Sequence, residues 1–146
     1  MSREADWVVS HLETVPGISR DTGRPLPLNM VETSHVLITG AAGLIGASVA
    51  RVLVEQGVRV TGLDDLSAGR VERLDSPLAR PGDGRFHFLK GDVRDRELLL
   101  GTLLYGPLGP VDSVLHLAGR VGVRRVLQDP AACEEENLEL GRSVAA

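Results

Sequence analysis

The sequence predicts an α/β fold, a doubly wound parallel sheet in a three-layer αβα arrangement that begins near residue 35. Three observations predict it. Short continuous apolar runs alternate with stretches at helical spacing, the pattern of strand–helix crossover units whose strands are buried on both faces. A glycine-rich turn, "TGAAGLIG" at 39–46, joins the first run to the first helical stretch. The second run ends on an acid, Asp64, about twenty residues further on.

Each element follows in order. "HVLIT" (35–39) is a short apolar run, as expected of a buried parallel strand. "GLIGASVARVLVEQG" (43–57) has helical spacing, with Ile45, Val49, Val52 and Leu53 on one face and Gly57 where a helix stops. "VRVTGLD" (58–64) is the second strand and "AGRVERL" (68–74) a short helix. After the turn-rich "RPGDGR" (80–85) come a third strand, "FHFLKGD" (86–92), and a helix, "DRELLLGTLLYG" (95–106). "VDSVLHLAG" (111–119) is the fourth strand and "PAACEEENLELGRSVAA" (130–146) the final helix. Residues 1–34 read differently: "ADWVVSHLETV" suits a short amphipathic helix, but "PGISRDTGRPLPLN" is aperiodic and rich in Pro and Gly. We therefore expect an N-terminal extension or linker over 1–34 and a nucleotide-binding domain over 35–146.

Composition excludes several classes. Aromatics are 3% and the net charge is −4, so neither a stacking platform nor a basic footprint for nucleic acid or anionic lipid is present. No apolar run approaches the ~18 residues of a membrane span, and "MSREADW" lacks the order of a signal peptide. Cys133 is the single cysteine, which rules out an intrachain disulfide and fits a reducing, cytoplasmic setting. His11, His35, His87 and His116 lack the spacing of metal ligands.

The glycine turn carries the chemistry. Gly40 permits the tight turn, Gly43 lets a pyrophosphate approach the backbone, and Gly46 lets the helix pack close to the strand. The helix N-terminus then offers unpaired N–H groups and the positive end of its dipole to the phosphates. A nucleoside triphosphate loop would need Gly-Lys-Ser/Thr, and Gly46 is followed by Ala47 and Ser48. This is the Rossmann-type pattern, whose first half orders its strands 3-2-1-4.

"TGAAGLIG" resembles the TGxxGxxG fingerprint of the extended short-chain dehydrogenase/reductase family. Within it, "LDDLSAGR" (63–70), "GDVRD" (91–95), "HLAG" (116–119), "VGVRRVLQDP" (121–130) and Asn137 are similar to the NAD-dependent nucleotide-sugar epimerases and dehydratases. The resemblance covers roughly 35–140. It implies that Gly40, Gly43 and Gly46 hold the pyrophosphate of NAD, with Ala42, Leu44 and Ile45 among the cofactor-binding residues. Asp64 would bind the ribose hydroxyls, and Asp65, Ser67 and Gly69 would shape the surrounding loop. Asp92 would accept from the adenine amino group with Val93 packed nearby, and Leu117, Ala118 and Gly119 would line the cofactor. Structural roles stay open beside these: Asp64 suits a strand-end cap, Asp92 a turn aspartate, and His116 a packed strand end. Arg120, Arg124 and Arg125 suit either a nucleotide-sugar phosphate or a solvated helix start. A carboxylate at Asp64 would repel a 2′-phosphate, so NAD is expected in preference to NADP.

The family's chemistry needs a tyrosine base with a lysine four residues later. Here the single tyrosine, Tyr105, is followed at that spacing by Gly109, and Lys90 is the single lysine. No catalytic residue is therefore assigned, and Leu140 replaces the family's helix glycine. The expectation is the cofactor-binding, C-terminally incomplete part of such an enzyme; a stand-alone, non-catalytic dinucleotide-binding module is the alternative. An open frame beyond residue 146 that encodes Tyr-x-x-x-Lys would choose the enzyme. Self-association is expected through the fourth strand, whose outer edge has no partner.

Overall fold

The computed structural model describes residues 35–74 and 84–146, so the expectations for 1–34 lie outside the described residues. The order is β1 (His35–Thr39), α1 (Leu44–Glu55), β2 (Arg59–Asp64), a 3₁₀ turn (Val71–Leu74), β3 (Phe86–Lys90), α2 (Arg96–Tyr105), β4 (Ser113–His116), α3 (Val123–Gln128) and α4 (Pro130–Ala145). The four strands form one parallel sheet in the order β3-β2-β1-β4. Thr39 stands opposite Leu63 on one side and His116 on the other, so all the strands end at one edge of the sheet. The chain turns from β1 toward β2 and later returns beyond β1 to β4. A crevice at that reversal is where such sheets take ligands.

Side chains on successive residues of β1 face opposite layers. Ile38 joins Ala47, Ala50, Val54, Val58, Val60 and Leu74 under α1, while Leu37 joins Leu63, Val93, Leu99 and Leu140 under α2 and α4. This is the three-layer αβα core. His35 is fully buried with both ring nitrogens satisfied: Nδ1 donates to the carbonyls of Gly109 and Pro110, and Nε2 accepts from Thr61 Oγ1 at 2.8 Å. It serves as a core tie at the edge remote from the crevice.

Four expectations change. Of the face expected for α1, Val49 and Leu53 pack partly buried against the core while Ile45 and Val52 are exposed, and the buried residues are Gly46, Ala47, Ala50 and Val54. Small residues win because α1 lies almost on the glycine turn, where Leu or Ile would not fit. The stretch 68–74 narrows to a single 3₁₀ turn, held by Arg73 N–H on Arg70 O and Arg70 N–H on Ala42 O. The fourth strand shortens to Ser113–His116, with Ser113 and Val114 exposed on the sheet's edge. An additional helix, α3, forms within "VGVRRVLQDP". Gly57 does close α1, at φ +90°, a left-handed conformation suited to a residue without Cβ.

Candidate dinucleotide-binding site

Each glycine of the turn has its own physical cause. Gly40 lies at φ +71°, and a Cβ there would stand 2.7 Å from the backbone of Leu117 and Ala118, so β1 and β4 converge on it. Gly46 presses on the backbone of Gly40 and Ala41 and sets the height of α1 above the sheet. A Cβ at Gly43 would meet only Gly40 O, at 3.1 Å, which leaves the outer side of this position open. Gly43 is the N-cap of α1 without a side-chain cap, and no acid occupies the first turn. Among the described residues, the N–H groups of Leu44, Ile45 and Gly46 find no partner, while Ala47 N–H returns to Gly43 O at 3.1 Å. Donors with a positive dipole end and no competing acid fit an anionic diphosphate.

Asp64 is 8% exposed at the end of β2. Its Oδ2 accepts from Ala42 N–H at 2.9 Å and its Oδ1 from Leu66 N–H at 2.8 Å. The strand-end role is therefore real. A carboxylate offers about four acceptor sites, so two stay free for hydroxyl donors. Leu66 adopts φ +64°, and Asp65 Oδ1 accepts from Ser67 N–H at 2.8 Å, which curls the loop back over the turn. Gly69 then lies against the Asp64 carboxylate and the Ala42 methyl, where a Cβ would be 2.6 Å from one and 2.8 Å from the other. An open cleft of about 650 Å³ runs beside it, lined by Leu66, Gly69, Arg70, Val71, Glu72 and Arg73.

Asp92 follows β3. It closes an Asx turn on Arg94 N–H and takes the Arg94 guanidinium, with Nη2 at 2.6 Å from Oδ2. Those bonds hold the Asp92 carboxyl below the usual carboxylate range and raise Arg94, against a smaller opposing effect of burial. Arg94 also reaches Glu139 on α4. The turn-aspartate role is thus present, and Arg94 engages both oxygens of the Asp92 carboxylate. The Val93 side chain, 4% exposed, lies in the core with Leu37 and Leu99 rather than open beside Asp92. An ordered residue between two loop residues turns inward because the sheet layer below needs an apolar plug.

At the end of β4, Thr39 organises the loop. Its Oγ1 accepts from Leu117 N–H and Ala118 N–H, both at 3.2 Å. The hydroxyl's one proton is then donated to His116 Nδ1 at 2.7 Å, which leaves the imidazole proton on Nε2. Burial lowers the pKa of His116, consistent with a neutral packed ring. Gly119 and Arg120 are held by Asn137: its Oδ1 accepts from Arg120 N–H at 2.6 Å and its Nδ2 donates to Arg120 O at 3.1 Å. Glu136 pairs with the Arg120 guanidinium. The side chains of Arg124 and Arg125 lie outside the described residues.

The structure therefore brings the glycine turn, Asp64 and the Leu117–Gly119 loop to one crevice, with Asp92 at the next strand end. Tyr105 is not there. It is 83% exposed at the far end of α2, beside the His35 edge of the sheet. Three contributors escaped sequence reasoning. Thr39 stands before the first glycine, which is its only local mark, and Arg73 and Arg94 look like ordinary surface cations. Among the described residues, no acid, histidine or cysteine group suits a metal and no helix is long and apolar enough to cross a membrane.

A parallel 3-2-1-4 sheet with a glycine turn facing its strand-end crevice defines a Rossmann-like α/β protein. Residues 36–146 match the model of the NAD dependent epimerase/dehydratase family, and the chain belongs to that family. It is 43% identical over 96 residues to the UDP-glucose 4-epimerase of Mycolicibacterium smegmatis, an alignment covering 66% of this chain and 28% of that protein. It is 35% identical over 114 residues to the dTDP-glucose 4,6-dehydratase of Streptomyces griseus, covering 73% and 31%. The NAD complex of UDP-glucose 4-epimerase from Brucella ovis superposes with a TM-score of 0.61 at 29% identity, over 76% of this chain and 30% of that one. The corresponding NAD complex from Thermus thermophilus gives 0.58 at 30% identity, over 75% and 32%. In each case the chain spans less than a third of the relative's length.

Proposed function

We propose that this chain is the NAD-binding portion of a nucleotide-sugar epimerase or dehydratase, working in the cytoplasm on a nucleotide-sugar substrate. The observation that carries the reading is the uncapped, acid-free N-terminus of α1 with the Asp64 carboxylate one strand away. In this reading Gly40, Ala42, Gly43, Leu44, Ile45 and Gly46 line the pyrophosphate, which the unpartnered N–H groups of Leu44, Ile45 and Gly46 receive. Asp64 accepts from the ribose hydroxyls and disfavours a 2′-phosphate by charge, which selects NAD over NADP. Asp65, Ser67 and Gly69 form the ribose loop, Asp92 accepts from the adenine amino group beside the Val93 backbone, and Leu117, Ala118 and Gly119 border the cofactor. When bound, NAD supplies a reversible hydride acceptor, so that a sugar hydroxyl is transiently oxidised.

In this reading no described residue serves as the proton-removing base: the single tyrosine, Tyr105, is remote from the crevice and the single lysine, Lys90, is not four residues after it. That same observation favours a second reading, a non-catalytic dinucleotide-binding module. Both readings require NAD binding. Calorimetry should show NAD binding that Gly43→Val abolishes by filling the open side of the turn; absence of NAD binding by the folded chain refutes both. The purified chain should turn over no UDP- or dTDP-sugar, and turnover that Gly43→Val abolishes would refute the assignment of no catalytic residue.

A further inference from the structure

We propose that Arg73 is a positioning residue of the diphosphate-binding turn, acting through the carbonyl of Ala42. The inference rests on the dinucleotide reading above. Ala42 is fully buried, and the peptide linking it to Gly43 is held from several sides. Gly43 N–H donates to Gly40 O at 3.1 Å. Ala42 O accepts from Arg70 N–H at 3.0 Å and from Arg73 Nη1 at 3.0 Å, which fills both lone pairs of that carbonyl. On the other side of the residue, Ala42 N–H is taken by Asp64 Oδ2 at 2.9 Å.

Rotation of this peptide would tilt Gly43, the N-cap, and so re-aim the N–H groups of Leu44 and Ile45 that have no partner of their own among the described residues. Three of the four restraints come from backbone or from Asp64, already given to the ribose. Arg73 is the remaining side-chain restraint, reaching across 31 residues from the 3₁₀ turn. Among the described residues no other hydrogen bond is made by its guanidinium, so its charge stays next to the site where the diphosphate would lie. The arrangement makes the loop after β2 part of the phosphate site as well as the ribose site. A residue that restrains donors before the ligand arrives spares the ligand that ordering, so its loss falls on ligands that use those donors.

The test compares ADP-ribose, which carries the diphosphate, with adenosine, which does not, on the full 146-residue chain. Arg73→Met keeps the apolar stem and removes the donor; Arg73→Lys restores a donor and the charge. ADP-ribose affinity should fall about tenfold in Arg73→Met, the size of one hydrogen bond to a charged group. Adenosine, followed by NMR titration, should change less than about twofold, and Arg73→Lys should recover most of the ADP-ribose affinity. Equal ADP-ribose affinity in wild type and Arg73→Met overturns the proposal. So does a parallel loss of both ligands, or loss of folding in Arg73→Met, because either makes Arg73 a general structural contact. If the wild-type chain binds ADP-ribose in none of these experiments, the dinucleotide reading itself fails and the Arg73 role falls with it.

Discussion

Replacing Gly46 by alanine tests whether the height of α1 above the sheet is set by the glycine turn. A methyl at this position would stand 2.8 Å from Ala41 Cα and 3.0 Å from the Gly40 carbonyl carbon, and closer still to Gly40 O. Carbon atoms in contact normally lie about 3.5–4.0 Å apart, so α1 must withdraw by about 1 Å. The obstructing atoms are backbone and cannot rotate aside. Helix propensity alone would favour alanine by about 1 kcal/mol. Overpacking of about 1–3 kcal/mol or more opposes it, and withdrawal also loosens Ala47 and Ala50 from the sheet. The net loss should be about 1–2 kcal/mol, or a melting temperature lower by about 4–8 °C for a domain of this size. Two controls share the chemistry without the clash. A Cβ at Gly141, within α4, meets nothing within 4 Å, so Gly141→Ala should gain up to about 1 kcal/mol. Gly57 is equally open but left-handed at φ +90°, so Gly57→Ala should lose about 1 kcal/mol. Thermal unfolding followed by circular dichroism reads all three. A Gly46→Ala protein that melts at or above the wild-type temperature would refute the packing argument.

Asp64→Ala should weaken NAD by about 1–3 kcal/mol in calorimetry, the range for a lost charge-assisted hydrogen bond, and wild-type binding of NADP as tight as NAD would contradict the role of that carboxylate. The Asp92–Arg94 pair should matter only above acid pH. Because the folded carboxyl titrates below its unfolded value, its stabilisation is complete above about pH 4 and is lost as pH falls through the folded pKa. In Arg94→Ala the NMR titration midpoint of Asp92 should move upward, and an unmoved midpoint would discount the pair. The outer edge of β4, with Val114 exposed and Val123 and Leu127 of α3 at 78% and 77% exposure, should make the chain self-associate at micromolar concentration. Sedimentation should then show dimers or larger species that Val114→Lys reduces; a monodisperse wild-type monomer would oppose this.

The strand order, the glycine turn and the acid at the end of β2 were all legible along the chain, because each rests on residues that are neighbours in sequence. Alternation of apolar runs marks crossovers, and crossovers of one hand leave few arrangements for four parallel strands. Less legible was which face of α1 turns inward. Ile45 and Val52 look like core by periodicity, yet the close approach at Gly46 selects the small face instead. α3 was hidden because its six residues sit within a motif read for charge and proline.

The sequence by itself determined the frame of the proposed site: three glycines at a strand-to-helix turn and an acid at the end of the next strand are patterns carried by short stretches of chain. Only the tertiary structure decided how those groups are held. Asp64 meets Ala42, Arg73 meets the same residue from the other side, and Asn137 grips Arg120 across 22, 31 and 17 residues of chain. Such pairings depend on where packing of the two core layers leaves each loop, and on which backbone groups that packing strands without a partner. A side chain that can satisfy them is recruited from wherever the fold brings it near, and no local pattern records the choice.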